Sequence, residues 1–122
     1  MRQHRAVVLA LLLVAGGCTS YAHPERATTQ IEFGTAVAEQ GLWREAAFRF
    51  EKAIEKEPNN ARAHNNLAVA LEANGDFARA LTEYKKALEL APNNDSIRRN
   101  YARFAEFYTS YTKTTGKAVN AP

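Results

Sequence analysis

Between Ala61 and Asn94 the chain alternates apolar and polar positions with the period of a helix, twice over. Ala63, Leu67, Ala70 and Leu71 recur at three- and four-residue spacing, which draws one apolar stripe along a helix. Asn74-Gly75-Asp76 interrupts the stripe. Gly75 suits the left-handed backbone that closes a helix, and Asp76 can accept a bond from the free N–H groups that open the next. Phe77, Ala80, Leu81, Tyr84, Ala87, Leu88 and Leu90 then resume the period until Pro92, which lacks the N–H a continuing helix needs. Asn93-Asn94 supply the next cap. The pattern predicts two antiparallel helices joined by a tight turn.

Within this stretch His64, Leu67, Ala68, Leu71, Gly75, Phe77, Ala80, Tyr84, Ala87 and Pro92 hold the spaced positions of a 34-residue tetratricopeptide repeat. The segment resembles that family closely; His64 alone departs, standing where the family often has Trp. Ala68 and Ala80 are the small residues that let two helix backbones come close. A shift of 34 residues lands on Ala27 to Asn60, where Phe33, Gly34, Val37, Gly41, Trp43, Ala46, Phe50, Ala53 and Pro58 fall in register. The first repeat is expected to have helices at about Thr28–Gln40 and Trp43–Lys56. Trp43 and Phe50 fall on packing positions, whereas Phe48 lies off them, on a convex face or against the preceding segment.

After Asn94 another helix is expected, from Asp95 to about Thr112, with no Gly-aromatic-Ala-Pro ending and so no third repeat. Ile97, Tyr101, Phe104, Phe107, Tyr108 and Tyr111 fall on one broad side, as a terminal helix covering the last apolar face requires. Phe107 and Tyr111 are its expected exposed members. The fold class is therefore all-α, two helix-turn-helix repeats plus a C-terminal capping helix, a short α-solenoid. The expected organisation is a leader at 1–17, a tether at 18–26, repeats at 27–60 and 61–94, the capping helix at 95–112 and a disordered tail at 113–122.

The opening of the chain has a different character. Arg2 and Arg5 precede an apolar run from Ala6 to Ala15, followed by Gly16-Gly17-Cys18. A bilayer-spanning helix needs about 20 apolar residues, so this shorter run reads as the apolar part of a secretory signal. Cys18, the single cysteine, follows a small-residue box and resembles the lipidated cysteine of bacterial lipoproteins; an extra glycine departs from the usual box. Ordinary cleavage nearby and an intermolecular disulfide are the competing readings. A lipidated Cys18 implies membrane anchoring, and Thr19 in place of the Asp that often retains such proteins at the inner membrane implies the periplasmic face of the outer membrane. Removing residues 1–17 takes Arg2 and Arg5 with it, leaving 14 Lys+Arg against 13 Asp+Glu, a net charge of +1 in place of +3. The basic balance thus belongs largely to the leader and carries no nucleic-acid signal.

Catalytic chemistry finds no foothold in the motifs. HExxH, GxSxG and a phosphate-cradling glycine loop are all absent, and His4, His23 and His64 lie too far apart in sequence and setting to pair on a metal. Glu51 and Glu55, with Lys52 and Lys56 beside them, read as a solvated helix face. No enzyme activity, metal or cofactor is expected. The resemblance implies instead that partners lie on the first helix of each repeat. The positions are Thr28, Ile31, Glu32, Thr35, Ala38 and Glu39, then Arg62, Asn65, Asn66, Val69, Glu72 and Ala73, then Ser96, Arg99, Asn100 and Arg103. Asn65 and Asn66 suit a peptide backbone, and Arg99 and Arg103 a carboxylate held bidentately. Of the Lys/Asn/Asn/Lys/Arg set with which some relatives hold a chaperone C-terminus, only Asn66 is matched. The expected function is a protein-binding scaffold in envelope biogenesis (pilus, secretion or wall assembly), the partner in the groove and the membrane reached through Cys18. The alternative is a homodimer formed through the aromatic capping helix.

Overall fold

The computed structural model describes residues 26–116. Five helices follow one another, α1 (Ala27–Glu39), α2 (Trp43–Lys56), α3 (Ala61–Ala73), α4 (Phe77–Leu90) and α5 (Asp95–Thr115), with no strand among the described residues. Each packs on the next, and α1 also touches α3. The leader, Cys18, most of the tether and residues 117–122 lie outside the described residues.

The turns form as their residues dictate. Gly41 and Gly75 both take positive φ, +77° and +79°, closing the first helix of each pair. Asn60, Asp76 and Asn94 each turn a side-chain oxygen back to a free N–H, those of Ala63, Arg79 and Ile97. At α2 the corresponding place is Leu42, which has no side-chain cap.

The core is built on contrast in size. Ala46, Ala53, Ala63, Ala68, Ala70, Ala80 and Ala87 have no exposed surface, and large residues fill the spaces that close backbones leave, above all Tyr84, Phe104 and Ile31. Gly34 shows how tight this is: a Cβ built there would lie 2.6 Å from Cε1 of Phe50 and 3.1 Å from Cβ of Arg49. Where tryptophan is usual, His64 substitutes polar ties for bulk. It is buried, with Nδ1 2.6 Å from Oε2 of Glu83 on α4 and Nε2 2.8 Å from the carbonyl of Pro58 in the preceding turn.

The two ends of the stack differ. At the C-terminal end Ile97, Phe104 and Tyr108 of α5 are buried, and Phe104 lies 5.0 Å from the Tyr84 ring. Burying such side chains contributes about 1.5–3 kcal/mol each. Phe107 is exposed, as expected, but Tyr111 is half-buried, held 4.9 Å from Phe77. The helix also runs to Thr115, correcting the expected end at Thr112. Thr112, Thr114 and Thr115 turn their hydroxyls to carbonyls three or four residues back, and Gly116 at φ +63° provides the stop.

At the N-terminal end Phe33 is 47 % exposed, although Leu67, its counterpart 34 residues on, is 2 % exposed. Leu67 sits in a helix that has another repeat before it, whereas Phe33 sits in the first helix described. Arg49 lies over the Phe33 ring at 4.5 Å and the Phe48 ring at 5.4 Å. Phe48 is exposed on the described helices, and most of the preceding segment, the other place its off-register position allowed, lies outside the described residues.

Gly34→Ala tests the close approach of α1 and α2. Helix propensity alone favours alanine by about 1 kcal/mol, yet the clash with Phe50 is expected to cost more, for a net loss of about 1–2 kcal/mol. Urea unfolding reads the difference directly, and a stabilised variant would contradict the packing described.

Candidate functional site

The odd-numbered helices lie side by side, since α1 touches α3 and Nδ2 of Asn100 on α5 donates to Oδ1 of Asn65 on α3 at 3.0 Å. Together they form one surface. It holds an open, mainly apolar pocket of about 230 Å³, lined by Thr35, Ala38, Glu39, Trp43, Phe50, Asn66 and Val69. Trp43 and Phe50 of α2 make its floor, reaching through the gap between α1 and α3. The repeat register explains the gap. Ala38 is small where the second pair carries Glu72, and Thr35 is short where α5 carries Arg103.

The expected partner residues divide into three groups. Asn66 and Val69 line the pocket. Asn65 is engaged with both neighbours: its amide donates to Oδ1 of Asn66 at 3.3 Å, and its oxygen accepts from Asn100. Arg62 and Arg99 are exposed and make no ion pair among the described residues. Ile31, expected on the open side, is buried in the core instead.

Arg103 corrects the expectation that it holds a partner's carboxylate. Its fork is already filled by Glu72, with Nη1 2.7 Å from Oε1 and Nη2 2.8 Å from Oε2. Tyr84, from α4, donates its hydroxyl to Oε2 of the same carboxylate at 2.8 Å. Three elements thus meet on one carboxylate. The Arg103 hydrogen bonds hold the Glu72 carboxyl below its ordinary range, against the opposing effect of burial and with help from Tyr84. Burial, and then the bond to Glu72, push the Tyr84 phenol well above its usual value. The arrangement locks α5 to the second helix pair and leaves Arg99 as the unpaired guanidinium of that helix.

Glu51 and Glu55 form a surface, as expected. Glu51 accepts from Arg79 of α4 at 2.8 Å and Glu55 from Lys52. Among the described residues no group of three His, Cys, Asp or Glu side chains is arranged to hold a metal ion, and no helix is long and apolar enough to cross a membrane.

Sequence reasoning missed the pocket floor as a functional surface, because Trp43 and Phe50 read only as core. Their aromatic load, heavier than that of the second repeat, was the signal available.

A family model for the tetratricopeptide repeat matches residues 31–95, more than half of the chain. No curated protein matches the chain.

The Glu72 pKa is depressed on folding, so the carboxylate contributes stability above its unfolded pKa of about 4.3, and that stability is lost as pH falls through the lower folded value. Glu72→Gln is expected to cost about 1 kcal/mol at pH 7, a modest figure because Arg103 is more than half exposed. The variant should also show a shallower loss of stability on acidification. Urea midpoints at pH 7, 5 and 3 check both, and parallel acid profiles for the two proteins would remove the network.

Proposed function

Because the chain belongs to the tetratricopeptide repeat family, a family of protein-interaction modules, we propose that it is a scaffold whose partner is a polypeptide seated across α1, α3 and α5. The observation that carries this reading is the apolar pocket between α1 and α3, open to solvent and rimmed by Asn66, Thr35 and Glu39. An apolar recess with a few polar groups at its edge is what a peptide side chain and its flanking backbone need. Asn66 can both donate and accept, so it can pair with either group of a peptide unit.

The place of action follows from the opening of the chain. Lipidation at Cys18 would anchor the mature protein, since two or more acyl chains hold a protein stably where one does so only marginally. The tether from Thr19 to Arg26 reaches at most about 28 Å when extended, which keeps the helical domain near the lipid surface. The periplasmic face of the outer membrane is the address that Thr19 favours, and envelope assembly is the setting in which an anchored partner-binding module has work to do. No catalytic step is assigned to it.

Two experiments test the reading. Val69→Glu places a charge at the pocket wall on a side chain that is only half-buried, so the fold is expected to survive by circular dichroism. In-cell cross-linking of the full chain should then lose its partner band at least tenfold; an unchanged band would overturn the pocket. Separately, Cys18→Ser is expected to abolish fatty-acid labelling and move the protein out of the membrane fraction. Retention without label would refute the anchor.

A further inference from the structure

The pocket between α1 and α3 has a counterpart in the second repeat, and that counterpart is filled. Moving 34 residues along the chain carries Ala38 to Glu72, Trp43 to Phe77, Phe50 to Tyr84 and Val69 to Arg103. There Arg103 reaches from α5 to Glu72 on α3, with both terminal nitrogens on the carboxylate and one of them 3.5 Å from the Tyr84 hydroxyl. An arginine, an acid and an aromatic residue thus close the second recess from within the chain. In the first recess the aromatic residues are Trp43 and Phe50, Val69 stands in place of the arginine, and the acid comes one position later, as Glu39.

Glu39 is exposed at the pocket rim and has no hydrogen-bond or ion-pair partner among the described residues. The last turn of α1 holds no basic residue, and none of the residues lining the pocket is a cation. Arg44, beside Trp43 in sequence, borders a separate recess with Leu42, Glu45 and Asn74. Arg62 lies on α3 three turns before Ala73, the residue in register with Glu39. That is about 16 Å of helix, beyond the roughly 10 Å over which charges act in 0.1 M salt. Glu32, two turns back on α1, is also unpaired and of the same sign as Glu39.

We infer that the pocket selects a basic side chain of the partner, arginine above all, with its aliphatic stem on Trp43, Phe50 and Val69 and its charge at Glu39. The inference rests on the partner reading of the preceding subsection and adds the chemistry of the partner to it. A long basic side chain is apolar along its stem and charged at its tip, which matches an apolar recess with a free carboxylate at its lip. A guanidinium also binds well over an indole ring. The chain uses the same arrangement elsewhere: Arg49 lies 4.5 Å from the centre of the Phe33 ring while its Nε donates to Glu45 at 2.7 Å. A neutral aliphatic side chain fills the recess without engaging Glu39, and an acidic one is repelled by it.

Trp43 is the single tryptophan of the chain, so its emission reports occupancy of the pocket in the detergent-solubilised full chain. Three capped five-residue peptides of serine and glycine differ only at the central position, which holds arginine, its neutral isostere citrulline, or leucine. In about 0.1 M salt the arginine peptide is expected to bind about threefold to tenfold more tightly than the other two, a margin that shrinks in about 1 M salt. Glu39→Gln should remove most of the margin over citrulline, with the urea midpoint unchanged because the carboxylate has no partner in the free protein. Arg62→Gln should leave the margin intact. A margin untouched by Glu39→Gln, citrulline or leucine binding as tightly as arginine, or emission unmoved by any peptide would each overturn the inference. Loss of the cellular cross-link in Val69→Glu would still stand in each case, so failure of the basic preference and failure of the groove are told apart.

Discussion

Close approach of helix backbones is the constraint from which the other features follow, and it is met by removing side-chain volume at a few fixed places. Gly34 faces the Phe50 ring at a distance that leaves no room for a methyl group. The fully buried alanines do the same along the other contacts. Once two backbones are this near, the large side chains have only the remaining gaps to occupy, and each packs against several helices at once. Tyr84 meets Phe104 across the last helix contact, and Phe50 serves both the α1–α2 contact and the floor of the pocket. Interiors packed to this density respond to single methyl groups, which is why small residues recur at the same step in both repeats.

A stack of repeats has ends, and the ends cannot obey the rule that governs the middle. Every internal helix pair has neighbours on both sides, so Leu67 is buried. Phe33, in the same register, has no described helix in front of it and is stacked under a guanidinium instead. The far end is handled by a dedicated helix. α5 begins as another first helix would, with a side-chain cap from Asn94, but carries a row of aromatic rings on the side that meets α4 and the turn before it. It is pinned on its other flank by the meeting of Glu72, Tyr84 and Arg103. Apolar burial sets how tightly α5 sits, and the directional bonds set its register.

The same geometry makes the candidate site. Helices held close at their small residues diverge where the side chains shorten, and between α1 and α3 that leaves a recess whose floor is core aromatic surface. Of the polar residues at its rim, Thr35 and Asn66 are half-buried and restrained, Thr35 by donating to the Ile31 carbonyl and Asn66 by accepting from Asn65, whereas Glu39 is exposed. Such a rim loses little conformational freedom when a partner arrives, a favourable property for recognition. The charges on the same face divide into a neutralised pair, Glu72 with Arg103, and side chains without ion-pair partners on each of the three helices, Glu32 and Glu39 on α1, Arg62 on α3, and Arg99 and Glu106 on α5.

Much of the architecture was legible from the chain alone, because periodicity is a local property. Glycines at the turns, Asn and Asp at the helix starts, and apolar residues three and four apart state where helices begin, end and face. The 34-residue self-similarity states how many pairs there are. Asn66 and Val69 could be placed on the open side by register alone. Contacts between residues distant in sequence could not be read in this way. Nothing in the composition of α5 says that Arg103 meets a carboxylate 31 positions earlier, or that Tyr84 joins it from a third helix. Nor does register distinguish Phe33 from Leu67, since the difference lies in what stands in front of each. The exposure of Phe33, the burial of Ile31 and the choice of which guanidinium stays unpaired were decided by the stacking of helices in three dimensions, where neighbours from other repeats supply or withhold the partner atoms.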